Sequence, residues 1–214
     1  MVRQLFPAFR ATVVLAVLTG LLFPLVITGV AQVIFPAQAN GSLIRDSGGQ
    51  VIGSRLIGQP FSKPEYFHPR PSAAGSGYAG EASSGTNLGP TSAKLIQGIK
   101  DDPATKDTDE SYAGVKQLVE AYRQENHLAP DARVPVDAVT RSASGLDPHV
   151  SLANALLQAP RVAAARGADA ERVTALIHRH TEGRDLGVLG EPRVNVLELN
   201  LSLDRELGVV RAGA

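Results

Sequence analysis

The chain has no cysteine among its 214 residues. Disulfides, thiolate metal sites and a cysteine nucleophile are therefore excluded, and cysteine usage gives no hint of compartment. An excess of charge of one sign is also missing: 21 Lys and Arg stand against 21 Asp and Glu. Nothing in that balance draws the chain to nucleic acid, and no nucleic-acid partner is expected. A glycine-rich phosphate loop ending in Gly-Lys-Ser/Thr is absent, as is any Cys/His spacing suited to zinc. What the chain does have is 43% hydrophobic residues, enough for one ordinary domain beyond any membrane segment.

From Ala11 to Phe35 no side chain is ionisable, and only Thr12, Thr19, Thr28 and Gln32 interrupt the apolar run. At 1.5 Å per residue this reaches roughly 37 Å, against roughly 30 Å of bilayer hydrocarbon. Arg3 and Arg10 precede the run and no basic residue follows before Arg45, so the positive-inside rule places residues 1–10 in the cytoplasm, 11–35 across the membrane and 40–214 outside the cytoplasm. Ala37-Gln38-Ala39 before Asn40 resembles a processing site, but the run exceeds the roughly 7–15 residues of a signal peptide's apolar region. Pro24 has no N–H for the carbonyl of Gly20, which predicts a kink or loosened turn. Thr12, Ala16, Thr19 and Gly20 share one side at helical spacing, a small-residue face on which another transmembrane helix packs closely; composition alone explains such residues equally well.

Beyond the span the pattern is α+β: a single soluble mixed domain after one transmembrane helix. Ser42 to Gln59 predicts a hairpin turning at Gly48-Gly49. Pro60 to Pro90 is irregular and rich in Pro, Gly and Ser, yet Tyr66, Phe67, His68, Tyr78 and Asn87 are embedded in it, which favours an ordered surface over disorder. Helices are expected over Ser92 to Lys100 and Tyr112 to Asn126, separated by a charged turn from Asp101 to Glu110 with Pro103 as a breaker. After a loop around Pro130 and Pro135, a helix begins near Val150, and Pro160 kinks or ends it before Arg161 to Arg166. Asp169 caps the next helix, which runs to about His180 with Val173, Leu176 and Ile177 inward. Val194 to Leu207 fits both strand alternation and helical spacing; Glu198, Asp204, Arg205 and Glu206 favour the helix.

Chemistry is sparse. His178 and His180, two apart on a helix, point about 200° from each other and do not share a metal there. His68 and His149 each adjoin a proline and suit turns. No base pairs with a nucleophile at recognisable spacing in Pro60 to Pro90, so an anchored hydrolase has little support. Ser47-Gly48-Gly49-Gln50 is similar to the Ser-Gly-Gly-Gln signature of ABC transporters, which contacts a nucleotide phosphate at a helix start. Here it lies between β-rich segments, where a hairpin turn accounts for both glycines.

Three longer blocks carry a more specific resemblance. Gly53 to Phe61 leads into Tyr66-Phe-His-Pro-Arg-Pro-Ser-Ala73 and then Ser84-Gly-Thr-Asn-Leu-Gly-Pro-Thr-Ser92; the second block is Val139 to His149 and the third Gly190 to Asp204. With the N-terminal span, they resemble the C subunit of the Kdp high-affinity potassium-transporting ATPase of bacteria over nearly the whole chain. The resemblance implies a non-catalytic accessory subunit in the bacterial inner membrane. There it stabilises an ion-conducting A subunit and an ATP-hydrolysing B subunit, with a small F subunit as a further partner. It carries no cofactor of its own; the alternative is a catalytic chaperone that shares ATP with the B subunit through Ser47, Gly48, Gly49 and Gln50. Charge-based topology conflicts with that alternative, since a domain outside the cytoplasm does not meet cytoplasmic ATP. Candidate subunit contacts are Thr12, Ala16, Thr19 and Gly20 on the helix, and Tyr66, Phe67, His68, Arg70, Asn87, Asp147 and His149 in the domain.

Overall fold

The computed structural model describes residues 2–46, 48–99 and 112–209. They fall into two compact units, Met1–Ser54 and Arg55–Ala214. The turn expected over Asp101 to Glu110, and Ser47, lie outside the described residues.

In the first unit, α1 (Val2–Val17) passes through a π-helical turn, Leu18–Leu22, into α2 (Phe23–Ile34). The wide turn stands directly before Pro24: the N–H of Phe23 reaches back five residues to the carbonyl of Leu18, the local loosening that a proline without an N–H demands. Arg3–Ile34 is one continuous apolar helix of 32 residues, about 48 Å long and so long enough to cross a bilayer. The hydroxyls of Thr12 and Thr19 donate to the carbonyls of Ala8 (2.9 Å) and Leu15 (2.8 Å) within the helix, so neither faces an apolar surrounding as a bare donor. Phe35 breaks the helix, and a short turn, α3 (Pro36–Ala39), follows with Ala37-Gln38-Ala39 inside it. Across this corner Asn40 Nδ2 donates to Gln32 Oε1 at 3.1 Å and to the carbonyl of Pro36 at 2.7 Å. The unit ends in the expected antiparallel hairpin, β1 (Leu43–Arg45) against β2 (Val51–Ser54).

The second unit opens with the irregular segment from residue 55, which includes a 3₁₀ turn at Gly80–Ala82. Then come α4 (Ala93–Gln97), α5 (Val115–Glu125), α6 (Val136–Val139), β3 (His149–Ser151), α7 (Leu152–Arg166), α8 (Ala170–Arg179), β4 (Thr181–Glu182), β5 (Arg193–Asn195) and α9 (Val196–Leu207). The strands form an antiparallel sheet in the order β3-β5-β4, with His149 opposite Asn195 and Val150 opposite Val194. α7, α8 and α9 pack with this sheet around a core that includes Phe67, Val150, Val162, Leu176, Leu199 and Leu203. A smaller cluster joins Tyr122 of α5 to Ala138 and Val139.

Several expectations hold locally. Asp169 caps α8 by accepting from the N–H of Glu171 at 3.0 Å, and Val173, Leu176 and Ile177 are all buried. Others shift. α4 ends at Gln97, where Gly98 takes φ +77, and α5 starts at Val115 because Tyr112 pairs as a β-bridge with Ile99. The stretch from Val194 resolves both patterns in turn: its first two residues complete β5, and Asn195 then caps α9 by accepting from the N–H of Glu198 at 3.1 Å.

Pro160 does not end its helix. α7 continues to Arg166 and stops at Gly167, whose left-handed φ of +59 closes the C-terminus. An interior proline costs about 3 kcal/mol; the turn beyond it is held by buried Arg161, Val162 and Ala163, and that burial offsets the loss.

Candidate functional site

The segment from Pro60 to Pro90 is ordered mainly by side chains rather than by strand pairing. On α9, Asn200 is buried, and its carboxamide accepts from the N–H of Phe67 at 2.8 Å and donates to the carbonyl of the same residue at 3.0 Å. On α7, Gln158 repeats the arrangement one residue on, accepting from the N–H of His68 at 2.7 Å and donating to its carbonyl at 3.1 Å. A carboxamide offers one donor face and one acceptor face, as a peptide group does, so each substitutes for a neighbouring strand. Arg161 donates to the carbonyls of Pro64 (2.6 Å) and Tyr66 (3.0 Å), and Arg166 to that of Glu65 (2.7 Å).

Gln158 is also the centre of a buried network. Its Nε2 donates to Asn154 Oδ1 (2.9 Å), and its Oε1 accepts from Arg161 Nη2 (2.9 Å). Tyr122 Oη donates to Asn154 Oδ1 (2.8 Å), Asn154 Nδ2 to Asp137 Oδ2 (3.0 Å), and Arg161 Nε to Asn126 Oδ1 (3.0 Å). Burial pushes Tyr122 above the ordinary tyrosine range, with Asp137 adding to the effect, so its hydroxyl stays a donor. Burial also draws Arg161 somewhat below the ordinary guanidinium range, opposed by Glu125.

Onto this base the loops of the first and second signature blocks are tied together. Arg70 Nη1 donates to Asp147 Oδ2 at 2.8 Å, while its Nε and Nη2 each donate to the carbonyl of Thr140 at 3.3 Å. Burial works against ionising Asp147, but the His149 side chain 3.6 Å away, the His149 N–H at 3.0 Å and Arg70 outweigh it and hold the carboxyl at about 2. Tyr78 Oη donates to the carbonyl of Arg70 at 2.6 Å. Ser72 Oγ donates to the carbonyl of Gly145 (2.6 Å), the Ser84 N–H to that of Ser144 (3.0 Å), and the Gly58 N–H to that of Leu146 (2.8 Å). The contact is close: a Cβ on Gly145 would lie 2.6 Å from the backbone nitrogen of Ala74.

Two clefts flank this junction, and Arg70 lines both. One, of about 510 Å³, is bounded by Leu56, Ile57, Ser142, Leu146 and Asp147; the other, of about 320 Å³, by Phe61, His68, Tyr78, Tyr122 and Glu125. In the second, His68 Nδ1 meets Glu125 Oε1, and this hydrogen bond holds Glu125 below the ordinary glutamate range against the effect of burial.

The structure therefore brings Tyr66, His68, Arg70, Asp147 and His149 into one tied set of loops and sorts the remaining candidates differently. Phe67 is fully buried and fills the core; as a subunit contact it is corrected, because an enclosed ring is out of a partner's reach. Asn87 is exposed with φ +51. Thr12, Ala16, Thr19 and Gly20 are exposed on the apolar helix. Gly48, Gly49 and Gln50 form the hairpin turn, and the N–H groups of Gly48 and Gln50 both donate to Asp46 Oδ1 at 2.9 Å. Both of these N–H groups are thus occupied by the chain's own carboxylate.

Sequence reasoning overlooked Asn154, Gln158, Arg161 and Asn200. A signal existed: Asn154, Gln158 and Arg161 recur at intervals of four and three, a polar stripe beside the buried face of Ala155, Ala159 and Val162.

Residues 5–205 match the family model described as K+-transporting ATPase, c chain (KdpC). The chain is 54% identical over 203 residues to a protein of Mycobacterium tuberculosis named potassium-transporting ATPase KdpC subunit, covering 95% of this chain and 98% of the relative. It is similarly 55% identical over 203 residues to the protein of that name from Myxococcus xanthus, covering 94% and 87%, and 53% identical over 204 residues to that from Caulobacter vibrioides, covering 95% and 94%. The match spans the apolar helix, the carboxamide-held segment and the Arg70–Asp147 junction alike, and the chain belongs to the KdpC family, the c chain of K+-transporting ATPases.

Proposed function

We propose that this chain is a non-catalytic accessory subunit of a potassium-transporting ATPase, and that it stabilises the assembly of an ion-conducting A subunit with an ATP-hydrolysing B subunit and a small F subunit. Arg3–Ile34 crosses the bacterial inner membrane with Arg3 and Arg10 on the cytoplasmic side, and the folded region from about residue 40 stands outside the cytoplasm. The observation that carries this reading is the use made of the strongest polar groups. Arg70, Asp147, Gln158, Arg161 and Asn200 are all spent on fixing loop backbone and on one another. Groups employed in this way make a rigid face, and rigidity lowers the entropic cost of docking a partner.

Two features weigh against the chaperone reading, in which Gln50 contacts ATP: Asp46 already accepts from the N–H groups of Gly48 and Gln50, and the charge flanks favour a hairpin outside the cytoplasm.

Co-purification tests the proposal. An affinity tag on this chain, in cells that also express the other subunits, is expected to bring down a P-type ATPase and a channel-like subunit in fixed ratio from mild detergent. A chain that elutes alone would overturn it.

A further inference from the structure

The connection from β4 to β5 has an unusual surface. Leu186, Val188 and Leu189 are exposed to 90%, 72% and 57%, and Leu186 adopts a left-handed backbone with φ +53. A side-chain-bearing residue in that region is strained, and at this exposure the leucine recovers almost nothing from burial. Folding alone does not favour leucine here.

The arm is nevertheless ordered. The N–H of Asp185 and the carbonyl of Leu189 bond at 2.8 Å, and the N–H of Leu189 returns to the carbonyl of Asp185 at 2.9 Å. At its base Arg184 pairs with Glu191 (2.7 Å), and Arg193 pairs with Glu182 (3.1 Å) and Asp185 (3.4 Å). The apolar tip is thus presented in one conformation, and the ordering cost of binding is already met.

Three occupants compete for it. An anionic lipid surface is disfavoured by charge, because residues 182–193 hold two arginines against three carboxylates and no aromatic residue, the reverse of an interfacial anchor. A second copy of this chain is disfavoured by area. The three side chains offer on the order of 400 Å², half of the roughly 800 Å² per partner that a stable free-standing interface buries. A small apolar contact suffices only where the partner is already held nearby, since tethering supplies a high effective concentration.

We infer that the β4–β5 arm is a docking finger that seats Leu186, Val188 and Leu189 in an uncharged apolar depression on another membrane-embedded subunit of the same transport complex. The inference rests on the accessory-subunit reading above. It is tested in the whole complex, in native membranes, with a photoreactive phenylalanine analogue in place of Leu186. Irradiation is expected to give an adduct of this chain with one other subunit. The doubly substituted Leu186→Ser, Val188→Ser chain is expected to leave the detergent-solubilised complex about tenfold faster than the parent. Adducts with lipid only, adducts with a second copy, or no adduct while the chain still co-purifies would overturn the finger and leave subunit membership intact. Failure of the unsubstituted chain to co-purify would instead remove the reading beneath it.

Discussion

Asn200 grips the backbone of Phe67 from both sides, accepting from its N–H at 2.8 Å and donating to its carbonyl at 3.0 Å. Since both residues are buried, this pair decides whether the segment after Pro60 can lie on the core at all. Replacing Asn200 by leucine removes a donor and an acceptor together and strands two buried backbone groups. Each such group costs about 1–3 kcal/mol, so Asn200→Leu is expected to lower unfolding free energy by about 2–6 kcal/mol in chemical denaturation of the solubilised full chain.

The junction of Arg70 with Asp147 predicts an acid limb. The Asp147 carboxyl lies at about 2 in the folded chain against 3.8 for an unperturbed aspartate. A lowered folded value means that the unfolded chain binds the proton more readily, so this contribution is fully present above about pH 4 and is lost as pH falls toward 2. Asp147→Asn is expected to flatten the stability profile between those values, read from unfolding midpoints across pH. Arg70→Ala is expected to be non-additive with it, because both remove the same ion pair.

Two glycines with positive φ separate steric need from backbone need. Gly145 has φ +69, and a Cβ there would sit 2.6 Å from the nitrogen of Ala74 and 2.7 Å from the carbonyl oxygen of Ser84. Gly167 has φ +59 with open space around it. Gly167→Ala is expected to cost about 1 kcal/mol, the left-handed penalty alone. Gly145→Ala is expected to exceed that by at least about 2 kcal/mol, since the loops holding Arg70 and Asp147 must part. Thermal unfolding of the two variants side by side measures the difference.

Where the sequence spoke most plainly, a single local rule sufficed. The uncharged run ending at Phe35, the Asp169 cap with Val173, Leu176 and Ile177 behind it, and the Gly-Gly hairpin each follow from short-range periodicity or turn chemistry. Pro160 left both a kink and an end of the helix open, because the contacts that carry α7 past it, Arg161 to Pro64 and Tyr66, lie 97 and 95 residues away in the chain. The alternation from Val194 was ambiguous because two elements share it, and Asn195 serves both as the last residue of β5 and as the cap of α9. Within the site, Arg70 and Asp147 were legible as members of the signature blocks. Gln158 showed only as a member of the polar stripe with Asn154 and Arg161, and neither it nor Asn200 revealed its role, since what a carboxamide standing in for a strand holds is set only when the fold brings the segment to it.

The proposed placement of the folded region outside the cytoplasm underlies the proposed partners and is open to one direct measurement. The chain has no cysteine, so Gln50→Cys, exposed at the hairpin turn, creates a single target for a membrane-impermeant maleimide. Intact cells, or spheroplasts where an outer membrane intervenes, are expected to be labelled at this residue before any permeabilisation. Labelling that appears only after the inner membrane is opened would contradict the account.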